Sequence, residues 1–222
     1  VENKDMMKHK NYLTPALALV VILFASYSYT AVADSLSNNL IFEQGGFRLS
    51  QKTQEGGTVK DRLTQDAIQM ACSKLGAASV DSDTATRVTS MARDSIKKPT
   101  GGIKLGDWKK GEAVARSGYG FRVGHKTDDH SKREAGGNCY ACHQLDPNEI
   151  AYGTLGTSLT GYGKLRGTAE ATLNFAYEMI YNPHVYFPCT HMPRFGHNGV
   201  LTQQQISDVM AYLFDPASPV NQ

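Results

Sequence analysis

Two cysteines three positions apart, with a histidine directly behind them, constrain this chain more than any other stretch: Cys139-Tyr140-Ala141-Cys142-His143. The run is the attachment signal for a c-type haem. Two thiols at that spacing can add across both vinyl groups of one haem, and the adjoining imidazole then lies under the ring, within reach of the iron. Two other chemistries share part of the signal. A thioredoxin-like dithiol needs a βαβ setting, which the pattern around Cys139 lacks. A zinc ribbon needs a second cysteine pair, and Cys72 and Cys189 stand alone. The predicted cofactor is one covalent haem c, held by Cys139 and Cys142 with His143 as an axial ligand.

An electron-transfer haem needs a second axial ligand, and a thioether favours Fe(II) and raises the potential. Met192 is the best placed residue. It follows His143 by 49 residues, in a loop stiffened by Pro183, Pro188 and Pro193, just before the last helix. Met70, Met91, Met179 and Met210 fall on apolar helix faces, where core filling is the default. The competitors for the iron are His191, His197 and His184.

Composition narrows the class. The chain has 222 residues, 41% hydrophobic and 20% charged, which excludes wholesale disorder and a multi-span membrane protein. A formal net charge of +2 leaves no electrostatic footprint for nucleic acid. The N-terminus reads as an export signal over residues 1–33. Lys8-His9-Lys10 is the positive region, Ala16 to Ala25 the apolar run, and Ala31-Val32-Ala33 the cleavage site. The rival reading is an uncleaved anchor, but ten apolar residues span only about 15 Å as helix, roughly half a bilayer core. Export places the chain in an oxidising compartment, in a bacterium the periplasm, with no membrane contact after cleavage. Haem is attached to c-type apoproteins after translocation.

Helical periodicity dominates the rest, so the fold class is all-α. Residues 34–105 read as a helical N-terminal extension. Val59, Leu63, Ala67, Met70, Ala71 and Lys74 mark one face, and Val88, Met91, Ala92, Ser95 and Ile96 a second. Residues 106–222 hold the haem motif. Asp107 caps a helix running to Arg116, and residues 117–138 form a loop. Thr168 to Tyr181 is helical and ends at Asn182-Pro183. Thr202 and Gln205 make a capping box ahead of Ile206, Val209, Met210 and Leu213.

The order helix, Cys-x-x-Cys-His, helix, Met-Pro, capped helix resembles class I cytochrome c. Asp208-Val209-Met210-Ala211-Tyr212-Leu213 is similar to the last helix of that family, whose first and last helices cross. Gly111 and Tyr212 hold the positions at which a glycine meets an aromatic ring, whereas Ala115 replaces a usual aromatic. A closer resemblance is to the X-subunit family of the sulfur-oxidation (Sox) cytochrome complex, SoxAX. Gly136 through Gln144, Gly163-Lys164-Leu165-Arg166-Gly167 and Met192-Pro193-Arg194-Phe195-Gly196-His197 carry it, and Leu201 through Val220 extend it. The resemblance implies a single-haem electron-transfer subunit of an L-cysteine S-thiosulfotransferase complex, not catalytic alone. Its partners would be a SoxA-type cytochrome, the SoxYZ carrier and a small cytochrome c acceptor. A free-standing periplasmic electron carrier is the alternative, against which the long N-terminal region weighs. A haem enzyme with an open iron site is a third, against which Met192 weighs.

Cys72 and Cys189 remain once the haem takes its pair. In an oxidising compartment leftover thiols usually join, which predicts a Cys72–Cys189 disulfide. The rival is a free Cys189 thiol that handles sulfur near the haem.

Overall fold

The computed structural model describes residues 63–75, 78–120 and 130–222. They belong to one compact unit, Lys52–Gln222. The expected signal segment, residues 1–33, lies outside the described residues, as do Val59 and the middle of the 117–138 loop. Among the described residues all regular structure is helical.

Helix α1, Ala67–Ser73, starts at Asp66, whose carboxylate accepts the Gln69 N–H while the Gln69 side chain reaches back to the Asp66 N–H. That capping box corrects the single face expected from Val59 to Lys74. Asp66 has extended backbone, so no one helix runs through it. The buried face also differs. Ile68 is 5% exposed and Met70 47%, because Ile68, Ala71 and Cys72 pack inward and Met70 points to solvent. Helix α2, Ser82–Asp94, is capped by Asp81 and buries Val88 and Ala92.

Helix α3, Trp108–Arg116, is capped by Asp107, and α6, Gln203–Phe214, carries the Thr202–Gln205 capping box. These two helices cross in contact at Gly111. A Cβ there would lie 1.9 Å from the Asp208 carbonyl oxygen, so only glycine admits this approach. The surface facing Gly111 is thus the Asp208–Val209 backbone rather than an aromatic ring, and Tyr212 is buried one turn further on. A short helix, α4, covers Tyr162–Arg166, where the sequence offered only loop signals. Helix α5, Glu170–Tyr181, stops at Asn182, and a 3-10 turn follows at Pro183–Val185.

The main core gathers Leu145, Tyr177, Ile206, Met210, Tyr212 and Val220 between α3, α5 and α6. Each fully buried side chain of Ile206 size contributes about 1.5–3 kcal/mol. A smaller core joins Ile68, Val88 and Ala92 of the N-terminal helices to Val185 of the 3-10 turn. The chain's last residues close the end of α6. Ser218 Oγ donates to the Tyr212 carbonyl, and the Asn221 side-chain amide donates to the Leu213 and Asp215 carbonyls.

Candidate haem-binding site

The Cys139–Ala141 segment is a 3-10 turn entered through Asn138 in the left-handed conformation, φ 49°. The Cys142 and His143 N–H groups both donate to the Cys139 carbonyl, at 3.1 and 2.9 Å. The following loop is pinned against this turn by backbone bonds. Gly153, Gly156 and Leu159 N–H groups donate to Tyr140, Cys142 and Gln144 carbonyls, each at 2.8 Å. This pairing places the Thr157 carbonyl 2.7 Å from His143 Nδ1. A carbonyl only accepts, so Nδ1 is the protonated nitrogen, and Nε2 is the one left to offer a lone pair to a metal. The loop passes so close that a Cβ on Gly156 would lie 2.2 Å from His143 Cε1.

Cys139 and Cys142 form no disulfide. Cys139 packs on the main core, and burial, aided by neighbouring Cys142, pushes its thiol up to about 12. Between them, Tyr140 is buried, with its hydroxyl 2.7 Å from that of Tyr212 and accepting the Asp146 N–H. Arg116 lies 4.6 Å from the Tyr140 ring centroid while pairing with Glu149 at 2.7 Å. The motif is thus bolted to both crossing helices.

Met192 is partly buried against the same main core as Cys139. On one side of it, Cys189 is bonded to Cys72. Cys189 sits at φ 61° and donates its N–H to His184 Nδ1 at 2.9 Å. On the other side, Arg194 is 5% exposed and its Nη1 lies 2.7 Å from Asp66 Oδ2. Burial, reinforced by the Arg194 charge, pushes His184 down to about 4, so it is neutral and its Nδ1 lone pair is committed to Cys189. His191 and His197 are exposed, with His197 Nε2 3.8 Å from Asp66. Sequence reasoning missed Asp66, Gly156 and the Thr157 carbonyl, named Arg194 only within the Met192–His197 stretch, and named His184 only as a competitor for the iron. The Asp66–Gln69 capping-box spacing is the signal that could have found Asp66.

These groups fit a haem c: two cysteine sulfurs on one turn, an oriented imidazole beside them and a thioether on the same core. A zinc site would need further donors. Among the described residues no three His, Cys, Asp or Glu side chains gather as metal ligands.

Fold and site define a helical, haem-carrying electron-transfer protein. A family model described as cytochrome c matches residues 132–215. An uncharacterized lipoprotein of Aquifex aeolicus (strain VF5) is 42% identical over 163 residues, 73% of this chain and 75% of that protein. A chain in the crystal structure of SoxXA from P. pantotrophus is 22% identical, with a TM-score of 0.38, over 58% of this chain and 92% of that one. Residues 132–215 form a cytochrome c domain, and its cofactor is haem c. No helix among the described residues is long and apolar enough to cross a membrane.

Proposed function

We propose that the chain is the X-type, single-haem electron-transfer subunit of a periplasmic SoxAX-type complex. Cys139 and Cys142 carry the haem, and His143 and Met192 ligate its iron. The partner cytochrome joins thiosulfate to a carrier cysteine, and this subunit passes the released electrons to a small cytochrome c. When bound, the haem supplies a one-electron centre. The chain's own residues orient the imidazole through Thr157, present the thioether from the Met192 loop and exclude water with the main core.

What carries the reading is the presence of three family-like stretches in one chain, each with a structural job. Gly136 through Gln144 contains the haem turn. Gly163 through Gly167 contains most of α4, where a Cβ on Gly163 would lie 2.6 Å from the Phe214 carbonyl oxygen at the end of α6. Met192 through His197 is the thioether loop. A free-standing carrier has no evident use for α1 and α2, which pack on the 183–189 segment.

Affinity capture from native cells grown on thiosulfate, read on haem-stained gels, tests the partnership. The expected result is a second, larger haem protein in stoichiometric amount, with the isolated chain redox-active but unable to couple thiosulfate to a carrier thiol. Capture of the chain alone favours the free carrier. The ligand assignment is tested separately. Met192→Ala should abolish the weak near-infrared thioether-to-iron band and lower the potential, and an unchanged spectrum would overturn it.

A further inference from the structure

The loop that carries Met192 is tied at both ends to one short helix. Three residues before Met192, Cys189 is bonded to Cys72 near the end of α1. Two residues after it, Arg194 pairs at 2.7 Å with Asp66, the N-cap of that same helix. Asp66 and Cys72 are six positions apart, about 9 Å along a helix axis. The five-residue step from Cys189 to Arg194 could reach roughly 17 Å if extended, so the segment arches between its anchors. Met192 and the disulfide foot lie on different cores. Met192 packs on the main cluster, whereas Cys72 and Cys189 pack on the smaller one with Ile68 and Val88.

We propose that α1 is a two-point clamp on this arch, with Asp66 and the Cys72–Cys189 bridge as positioning groups that set how readily Met192 leaves the iron. This role rests on Met192 being the axial ligand. With both feet fixed, the thioether departs only by straining the arch or by unfolding α1 from the smaller core. With one foot freed, departure becomes a local opening of a loop held at one end. Freeing the Arg194 foot also leaves a buried guanidinium without its carboxylate, which favours the opened loop further.

The test uses the haem-loaded full chain and three variants: Asp66→Asn, the double variant Cys72→Ser/Cys189→Ser, and Met192→Ala. Asn still caps a helix, so Asp66→Asn removes the ion pair and keeps α1. Two quantities are read: the rate of carbon monoxide binding to the ferrous haem, which requires the thioether to leave, and amide hydrogen exchange across residues 187–195. Each foot variant should keep the near-infrared band, bind carbon monoxide about tenfold faster, and exchange faster in that segment with α6 amides unchanged. Combining the two should exceed either. If Met192→Ala abolishes the band while both foot variants bind carbon monoxide at the wild-type rate, the clamp is overturned and the ligand assignment stands. If Met192→Ala leaves the band intact, the ligand assignment falls and takes the clamp with it.

Discussion

His143 is oriented by a carbonyl 14 positions away, in a loop that pairs residue by residue with the haem turn. The Met192 loop is held instead by a disulfide spanning 117 positions and by an ion pair to Asp66 that reaches further still. The first side is built from close approach: a glycine against a ring, and short backbone bonds. The second is built from ties between distant segments. Local construction orients the imidazole within its own stretch, while Tyr140 ties that stretch to the crossing helices. Long-range construction makes one whose rigidity depends on the N-terminal helices, and so one that those helices can tune.

The largest expected effect is on the long-range side. Cys72→Ser/Cys189→Ser should lower stability by up to about 4–5 kcal/mol, the chain-entropy figure for a loop of that length. The attached haem already restricts the unfolded chain, so this is an upper bound. Denaturant unfolding followed at the haem band measures it, and a loss below 1 kcal/mol would mean that the bridge does not brace the loop.

Acid should loosen the same side next. His184 titrates near 4 in the fold against 6.5 unfolded, first because it is buried and second because of Arg194. The unfolded chain therefore binds more protons between those values, so stability is fully present above pH 6.5 and falls toward pH 4. The loss is on the order of 3 kcal/mol. Asp66 acts in the same direction at lower pH. Burial alone would raise its pKa, but the Gln69 N–H and Arg194 outweigh it, so its contribution is lost only below the usual carboxylate range. His184→Gln should flatten the pH 4–6.5 slope. A slope unchanged in that variant would assign it to another group.

The smallest effect belongs to the local side. Gly156→Ala forces a Cβ into the His143 ring, and overpacking of that kind costs about 1–3 kcal/mol. It should shift the haem absorption and lower the melting temperature while leaving carbon monoxide binding nearly unchanged. Faster carbon monoxide binding in this variant would show that the two sides are coupled.

The same division explains what could be read from the chain beforehand. Helices α2, α3, α5 and α6 were legible because their signals lie within a turn or two: Asp107 at α3, Asn182-Pro183 after α5, Thr202 with Gln205 at α6. The haem turn was legible for the same reason. The α1 face was misjudged because apolar spacing across Asp66 looked continuous while a capping box interrupted it. Helix α4 was missed because Gly161 and Gly167 bracket only five residues, and its support comes from the distant end of α6. Arg194 appeared only as one letter of a motif, since its partner Asp66 is set by tertiary packing.

The side chains of Ser218 and Asn221 that seal the last carbonyls of α6 also bear on how the fold comes apart. The crossing at Gly111 needs an intact α6, and the carbonyls of its last turn find their partners in residues 218–221. Fraying there therefore loosens Tyr212, whose hydroxyl meets that of Tyr140 in the cysteine turn. The segment after the last long helix is thus a latch on a motif that lies far earlier in the chain.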